Sequence, residues 1–304
     1  MVLTVVPVPL SEAAAHAESD VKVGVPHHIG FVVADMAATV RAFEAGTGAR
    51  FTGLSEETVA VELAGEAGTR SVQLRRVRTV GGSPSLTFEH ATPAIGPWAD
   101  SAAATAFLSY AVDDVDGMGA TLVDHGFENV ARAADFGFWR NADGVLIRLI
   151  DRDSWSAGSG AAGDLGEIRS FTLLPCAASG LRDQLAGALG VNWKVPMSVP
   201  LPWQQVDGEM RPVLHEVHSS SEKGPHLSIE TPAPVSSQNC APGTTRAHLV
   251  YFTPDVTAAE QRMVEAGMTP LARVPGITTY FRAGTHGPYV EIGSTAFELA
   301  EYLP

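Results

Sequence analysis

Two cysteines, Cys176 and Cys240, in 304 residues cannot build a disulfide framework, and a chain of this length can bury a core without one. A mostly reduced compartment fits that usage. Basic residues are scarce too. Twenty Lys+Arg against 34 Asp+Glu leave a formal net charge of −14, which disfavours nucleic acid as the main partner. No apolar run approaches the roughly 20 residues of a membrane-spanning helix, and no basic amphipathic stretch reads as a membrane-surface helix. The sequence has no phosphate loop or dinucleotide fingerprint and no Gly-x-Ser-x-Gly nucleophile motif. The apolar residues 2–10 have no basic flank and contain two prolines, unlike an export signal. These absences leave a cytoplasmic globular protein, with residues 1–22 read as a flexible leader.

What is present is repetition. Phe107-Leu-Ser-Tyr-Ala-Val-Asp-Asp114 aligns with His248-Leu-Val-Tyr-Phe-Thr-Pro-Asp255 at an offset of 141 residues, which also carries Glu89 onto Glu230 and Gly126 onto Gly267. Offsets of 142 and 143 relate His28 to Ser170 and Arg148 to Glu291. A nearly constant offset over so long a stretch is the mark of a duplication.

Each half divides again. A β-like run (His28–Val33, Phe107–Val112, Ser170–Leu174, His248–Thr253) precedes an amphipathic helical stretch. Asp35, Asp114 and Asp255 stand at N-cap positions, and Gly48, Gly126, Gly190 and Gly267 at helix ends. Further strands complete each unit. The reading is α+β: four βαβββ units at about 24–92, 105–152, 166–232 and 245–295. Two domains are expected at 23–152 and 166–304, joined by a Gly/Ala/Ser-rich linker at 153–165; residues 233–244 form a second linker. Residues 194–212, with four prolines, read as an insertion peculiar to the third unit.

The chain resembles the vicinal oxygen chelate superfamily, which includes glyoxalase I, methylmalonyl-CoA epimerase, extradiol dioxygenases and bleomycin-resistance proteins. The resembling stretches are His27-His28-Ile-Gly-Phe-Val-Val-Ala-Asp35, Phe138-Trp-Arg-Asn-Ala-Asp-Gly-Val-Leu-Ile-Arg148 and Pro288-Tyr-Val-Glu291-Ile-Gly. The resemblance implies two cup-shaped mixed sheets, each built from two units. It also implies a divalent metal held by residues at the start of the first strand and the end of the fourth strand of each unit. Those positions are His28 and Glu89, Phe107 and Arg148, Ser170 and Glu230, and His248 and Glu291. If the first unit pairs with the fourth, as in four-unit single-chain glyoxalases, the metal set is His28, Glu89, His248 and Glu291. Sequential pairing instead leaves Glu230, His248 and Glu291 in the second cup, with Phe107 and Arg148 spoiling the first. The 1–4 pairing is the expected arrangement.

With that set, the metal is Zn, Ni, Co or Mn, and Glu89 or Glu291 moves a proton next to a metal-bound carbonyl. The activity implied is that of an isomerase, epimerase or lyase. His28, His248 and Glu291 would equally make the two-His-one-carboxylate triad of an Fe(II) ring-cleaving dioxygenase. A third reading is a drug-binding resistance protein without metal. Four units on one chain make a monomer sufficient and leave a homodimer open. His27 and His90 alternate away from their neighbours; His125, His215, His218 and His286 read as background. Arg75, Arg76 and Arg78 read as a solvated strand face, and Trp98, Trp139, Trp193 and Trp203 mostly as core.

Overall fold

The computed structural model describes residues 26–81, 84–99, 105–154, 165–175, 180–206, 209–221, 226–233, 245–284 and 287–296. The leader 1–22, most of the linker 153–165, residues 234–244 of the linker 233–244, both cysteines and His286 lie outside the described residues.

Each of the four units folds as strand, helix and three strands. The first comprises β1 (His28–Val32), α1 (Met36–Thr47), β2 (Ser55–Leu63), β3 (Thr69–Arg78) and β4 (Ser85–Thr92). The second runs β5 (Thr105–Val112), α2 (Val115–Asp124), β6 (Phe127–Arg132), β7 (Phe136–Asn141) and β8 (Leu146–Asp151). The third is β9 (Ser170–Leu174), α3 (Leu181–Leu189), β10 (Met197–Val206), β11 (Glu209–Ser219) and β12 (His226–Ala233). The fourth is β13 (Arg246–Thr253), α4 (Val256–Glu265), β14 (Met268–Val274), β15 (Thr278–Ala283) and β16 (Tyr289–Ser294).

The helix starts follow from local chemistry. The carboxylates of Asp35, Asp114 and Asp255 accept from the amides of Ala38, Gly117 and Ala258, all at 2.9 Å, which satisfies an otherwise orphaned donor at each N-terminus. Gly48 and Gly190 close α1 and α3 in the left-handed region, where a Cβ would be strained.

The sheets pair consecutive units. The order β1-β4-β3-β2-β6-β7-β8-β5 closes one eight-stranded barrel, and β10-β11-β12-β9-β13-β16-β15-β14 closes the other. In every unit the first and fourth strands run parallel, and the remaining contacts are antiparallel. Closure rests on short seams, Glu62–Leu63 against Ala131–Arg132 and Gln205–Val206 against Ala272–Arg273. The expected pairing of the first unit with the fourth is therefore replaced by 1–2 and 3–4. Units one and four still meet, through α1 packing on α4, and units two and three through α2 on α3.

The proline-rich residues 194–212 are no insertion: β10 and β11 occupy the places that β2 and β3 hold in the first unit. Proline is tolerated there because β10 bonds to β14 over only two residues and behaves as an edge strand, with a bulge between Leu201 and Gln204.

One large core lies between the barrels and the helices. Ile29, Phe31, Phe43, Leu108, Tyr110, Phe171, Leu249 and Ile292 belong to it, each apolar side chain contributing about 1.5–3 kcal/mol by leaving water. Phe31 meets Phe171 edge-on across the two barrels at 6.3 Å. The Asn141 amide donates to Gln184 Oε1 at 2.9 Å and the Thr245 hydroxyl to the Asp143 carbonyl at 2.6 Å, tying the halves further.

The two lumens differ. In the first, Val61, Val72, Leu74, Trp98, Phe107, Phe136, Phe138 and Leu146 form a second apolar cluster that fills the barrel. A Cβ on Gly30 would lie 1.9 Å from the Phe107 ring, so that ring can cross the lumen only over a glycine. Gly30→Ala is expected to cost about 1–3 kcal/mol by overpacking, read as a lower urea midpoint. Phe107→Leu in the same chain should recover part of the loss.

Candidate metal centre in the second barrel

The lumen of the second barrel gathers a histidine and two carboxylates. His248 on β13, Glu291 on β16 and Glu230 on β12 point inward from three strands, and each is buried. Together they offer donor atoms within 4.8 Å of one another. His248 Nε2 stands 3.0 Å from Glu291 Oε2 and 3.9 Å from Glu230 Oε2. Yet neither ring nitrogen of this fully buried imidazole makes a hydrogen bond among the described residues. A buried polar group left in this way is costly, and a cation between the nitrogen and the carboxylates would satisfy it. Donors about 2.1 Å from one cation lie about 3 Å apart at right angles and about 4 Å apart when nearly opposite. The observed spacings fall in that interval. One imidazole and two carboxylates suit a divalent metal of the Mn, Co, Ni or Zn kind, and this chain's residues fit one.

The carboxylates are held from behind. The Thr278 hydroxyl donates to Glu291 Oε1 at 2.7 Å. Glu230 Oε1 contacts His215 Nδ1, whose Nε2 lies 3.0 Å from Gln204 Oε1. Burial would raise the Glu230 carboxyl, but the His215 contact and the His248 charge outweigh it and hold it below its usual range. Burial alone would lower the His215 imidazole; its bond to Glu230 and the charges of Glu230 and Glu291 raise it instead. Such outer partners fix ligand orientation. Tyr280 packs edge-on against the His248 ring at 5.3 Å.

His28 and Glu89 are elsewhere. Both lie in the first barrel, so the expected set of His28, Glu89, His248 and Glu291 is not brought together. Glu89 Oε1 accepts from Arg148 Nη1 at 2.6 Å and Arg76 Nε at 2.8 Å, and Oε2 from Trp98 Nε1 at 3.1 Å. Burial opposes ionisation of Glu89, but the two guanidinium charges and these hydrogen bonds prevail and hold it at about 2. With its oxygens so engaged, Glu89 serves as the anchor of a buried ion cluster. The Arg148 guanidinium also lies over the Phe136 ring at 4.4 Å. His28 is fully buried, and burial, followed by the charges of Arg148, His27, Arg76 and Arg78, lowers its pKa well below the ordinary value. Arg76, expected on a solvated strand face, is instead buried between Glu89 and Glu57.

His215, expected to be background, instead supports the trio, and the signal for it is alternation. Val213, His215, Val217 and Ser219 are the buried positions of β11, a period of two that puts His215 on the lumen side. Ser170, at the third unit's first ligand position, is buried and its hydroxyl donates to Ser228 Oγ at 3.0 Å.

No family model matches the chain, and no curated protein does. Solved structures do. A mutant of 4-hydroxymandelate synthase from Streptomyces coelicolor is similar at a TM-score of 0.56 and 12% identity, over 89% of this chain and 92% of that one. A halotolerant catechol dioxygenase gives 0.46 at 13% identity, over 90% of this chain and 87% of the other. A fusion of a xylose isomerase-like TIM barrel with 4-hydroxyphenylpyruvate dioxygenase gives 0.48 at 12%, over 89% of this chain and 48% of that one. Four βαβββ units paired consecutively into two barrels, with this likeness spanning nearly nine-tenths of the chain, give the protein the tandem vicinal oxygen chelate fold.

Proposed function

We propose that the protein is a metal-dependent enzyme that moves a proton next to a carbonyl of a small metabolite, an isomerase, epimerase or lyase working in the second barrel. The observation that carries this reading is the trio Glu230, His248 and Glu291, buried together around an imidazole without a hydrogen bond. His248, Glu291 and Glu230 would hold the ion, which when bound supplies Lewis-acid polarisation of the substrate oxygen. Glu291, fixed by Thr278 and nearer to His248, is the steadier ligand. Glu230 is the more loosely placed ligand, its Oε2 3.9 Å from His248 Nε2 while His215 holds Oε1, and would be the carboxylate that takes the proton. Gln204 keeps the His215 ring from turning away. Burial of all these groups keeps water from competing with the substrate for that oxygen.

An Fe(II) ring-cleaving dioxygenase is the second reading, because His248 and Glu291 are two members of the facial triad it requires. Ser170, buried and bonded to Ser228, stands where the second histidine would be. That difference in donors favours proton transfer.

Protein purified without chelator or a metal-binding tag should carry about one divalent ion per chain, measured by elemental analysis. A redox-inert metal without oxygen uptake supports the isomerase or lyase. Iron together with oxygen uptake replaces it with the dioxygenase. A chain that neither retains nor takes up metal removes both and leaves metal-free ligand sequestration.

A further inference from the structure

Beyond the metal trio, β13, β16 and β15 show what else the second barrel presents to a substrate. Arg246 is two residues before His248 and Tyr289 two before Glu291, so each shares the inward face of its strand with a candidate ligand. Tyr280 is inward by its contact with His248, which places Arg282, two residues on, on the same face. In register, Arg282 and His248 are both Cα partners of Tyr289, and the Arg246 guanidinium lies 5.6 Å from the Tyr289 ring centre. Arg246, Tyr289 and Arg282 are half-buried, whereas inward residues toward the other end, Ser170, Ser228, Val250 and Phe252, are buried. The arginine end is the one that faces solvent.

Charge makes this arrangement unusual. In a chain of net charge −14, Glu291 is the only acidic residue on these three strands. Arg282 Nε is buried without a hydrogen-bond partner among the described residues, so part of its donor fork is desolvated and unspent. The equivalent lumen in the first barrel handles its arginine differently: Arg148 is consumed by Glu89 and roofed by Phe136.

We propose that Arg246 and Arg282, flanking Tyr289, receive an anionic group of the substrate, a carboxylate or a phosphate, while its carbonyl end reaches His248. The inference rests on the proposed function for the carbonyl end and specifies the substrate class of the same site. Two strand residues span about 7 Å, so the anion and the reacting carbonyl belong to one small metabolite, separated by a few bonds. Guanidinium forks suit both oxyanions by paired hydrogen bonds, and two of them near one another draw an anion into an otherwise acidic protein.

Calorimetric titration of the full chain with inorganic phosphate and, separately, acetate tests the assignment in metal-loaded and metal-free protein. Wild type is expected to bind at least one of them in both states, more weakly at higher salt. Arg282→Gln and Arg246→Gln should each weaken that binding about tenfold, Arg282→Lys less, with metal content and melting temperature unchanged. Tighter binding of phosphate than acetate identifies a phosphoryl group; the reverse identifies a carboxylate. Equal affinity in wild type and both Gln variants overturns the proposal, as does binding of neither anion. His248→Ala separates the two readings. Loss of metal with anion binding intact supports the mouth site whatever the reaction, whereas loss of both would place the anion on the metal and overturn it.

Discussion

Glu89→Ala should destabilise the protein by about 3–5 kcal/mol while leaving its metal content at the wild-type level. Removing the carboxylate takes from Arg148 and Arg76 their shared acceptor, Glu89 Oε1, in a buried lumen where Arg148 is only 2% exposed. Trp98 Nε1 loses its acceptor as well. Replacing the Glu89–Arg148 pair together, as in Glu89→Leu/Arg148→Met, should recover much of the loss, because the uncompensated charge goes with the pair and Arg76 keeps Glu57. Urea midpoints by tryptophan fluorescence, set beside elemental analysis, check both halves. A Glu89→Ala protein that unfolds like wild type, or one that has lost its ion, would contradict the role of Glu89 as anchor of the ion cluster.

The same carboxylate sets an acid limit. Its pKa of about 2 lies below the ordinary value of 4.5, so the folded state binds this proton less readily than the unfolded chain. The resulting stability, about 3 kcal/mol, is fully present above about pH 4.5. It is lost as the pH falls from there toward 2. Stability of wild type and Glu89→Ala should therefore converge over that window.

The duplication is readable because motif spacing survives divergence: Asp caps, glycine helix ends and fourth-strand residues recur at nearly fixed distances, and the units fold where those distances place them. The pairing of units is not readable from spacing, since each unit presents the same strand edges to either partner. The chemistry at the equivalent positions does hold the answer. Glu89 and Arg148 are complementary and meet at 2.6 Å, whereas the 1–4 arrangement would separate them into different cups. Arg76 carries a second sign of the same cluster, concealed because an arginine among Arg75 and Arg78 looks solvated until the strand's alternation is followed. Glu230, His248 and Glu291 are legible as the set left by sequential pairing. His215 is legible only as an inward position by alternation and Gln204 is not legible, because their role depends on how the proline-containing hairpin curls onto β12.

His248→Ala is expected to abolish stable metal retention, while His28→Ala keeps a full complement. Both histidines stand near the start of the first strand of a unit and both are fully buried, so burial and sequence position alone predict the same result for each. Their surroundings do not. His248 faces Glu291 and Glu230 across 3.0 and 3.9 Å. His28 lies beside Phe107, at 6.1 Å between ring centres, and the carboxylate at its unit's other ligand position, Glu89, is held by Arg76, Arg148 and Trp98. Loss of one of three ligands lowers affinity by orders of magnitude, well beyond the 10–100-fold typical of an outer partner. His215→Ala should fall in that smaller range, since it touches Glu230 and not the ion. Metal content after dialysis against a weak chelator ranks the three variants. Equal loss from His28→Ala and His248→Ala would mean that the two barrels share one centre in solution; loss confined to His248→Ala and, more mildly, His215→Ala assigns the chemistry to the second barrel and leaves the first as its packed, ion-locked scaffold.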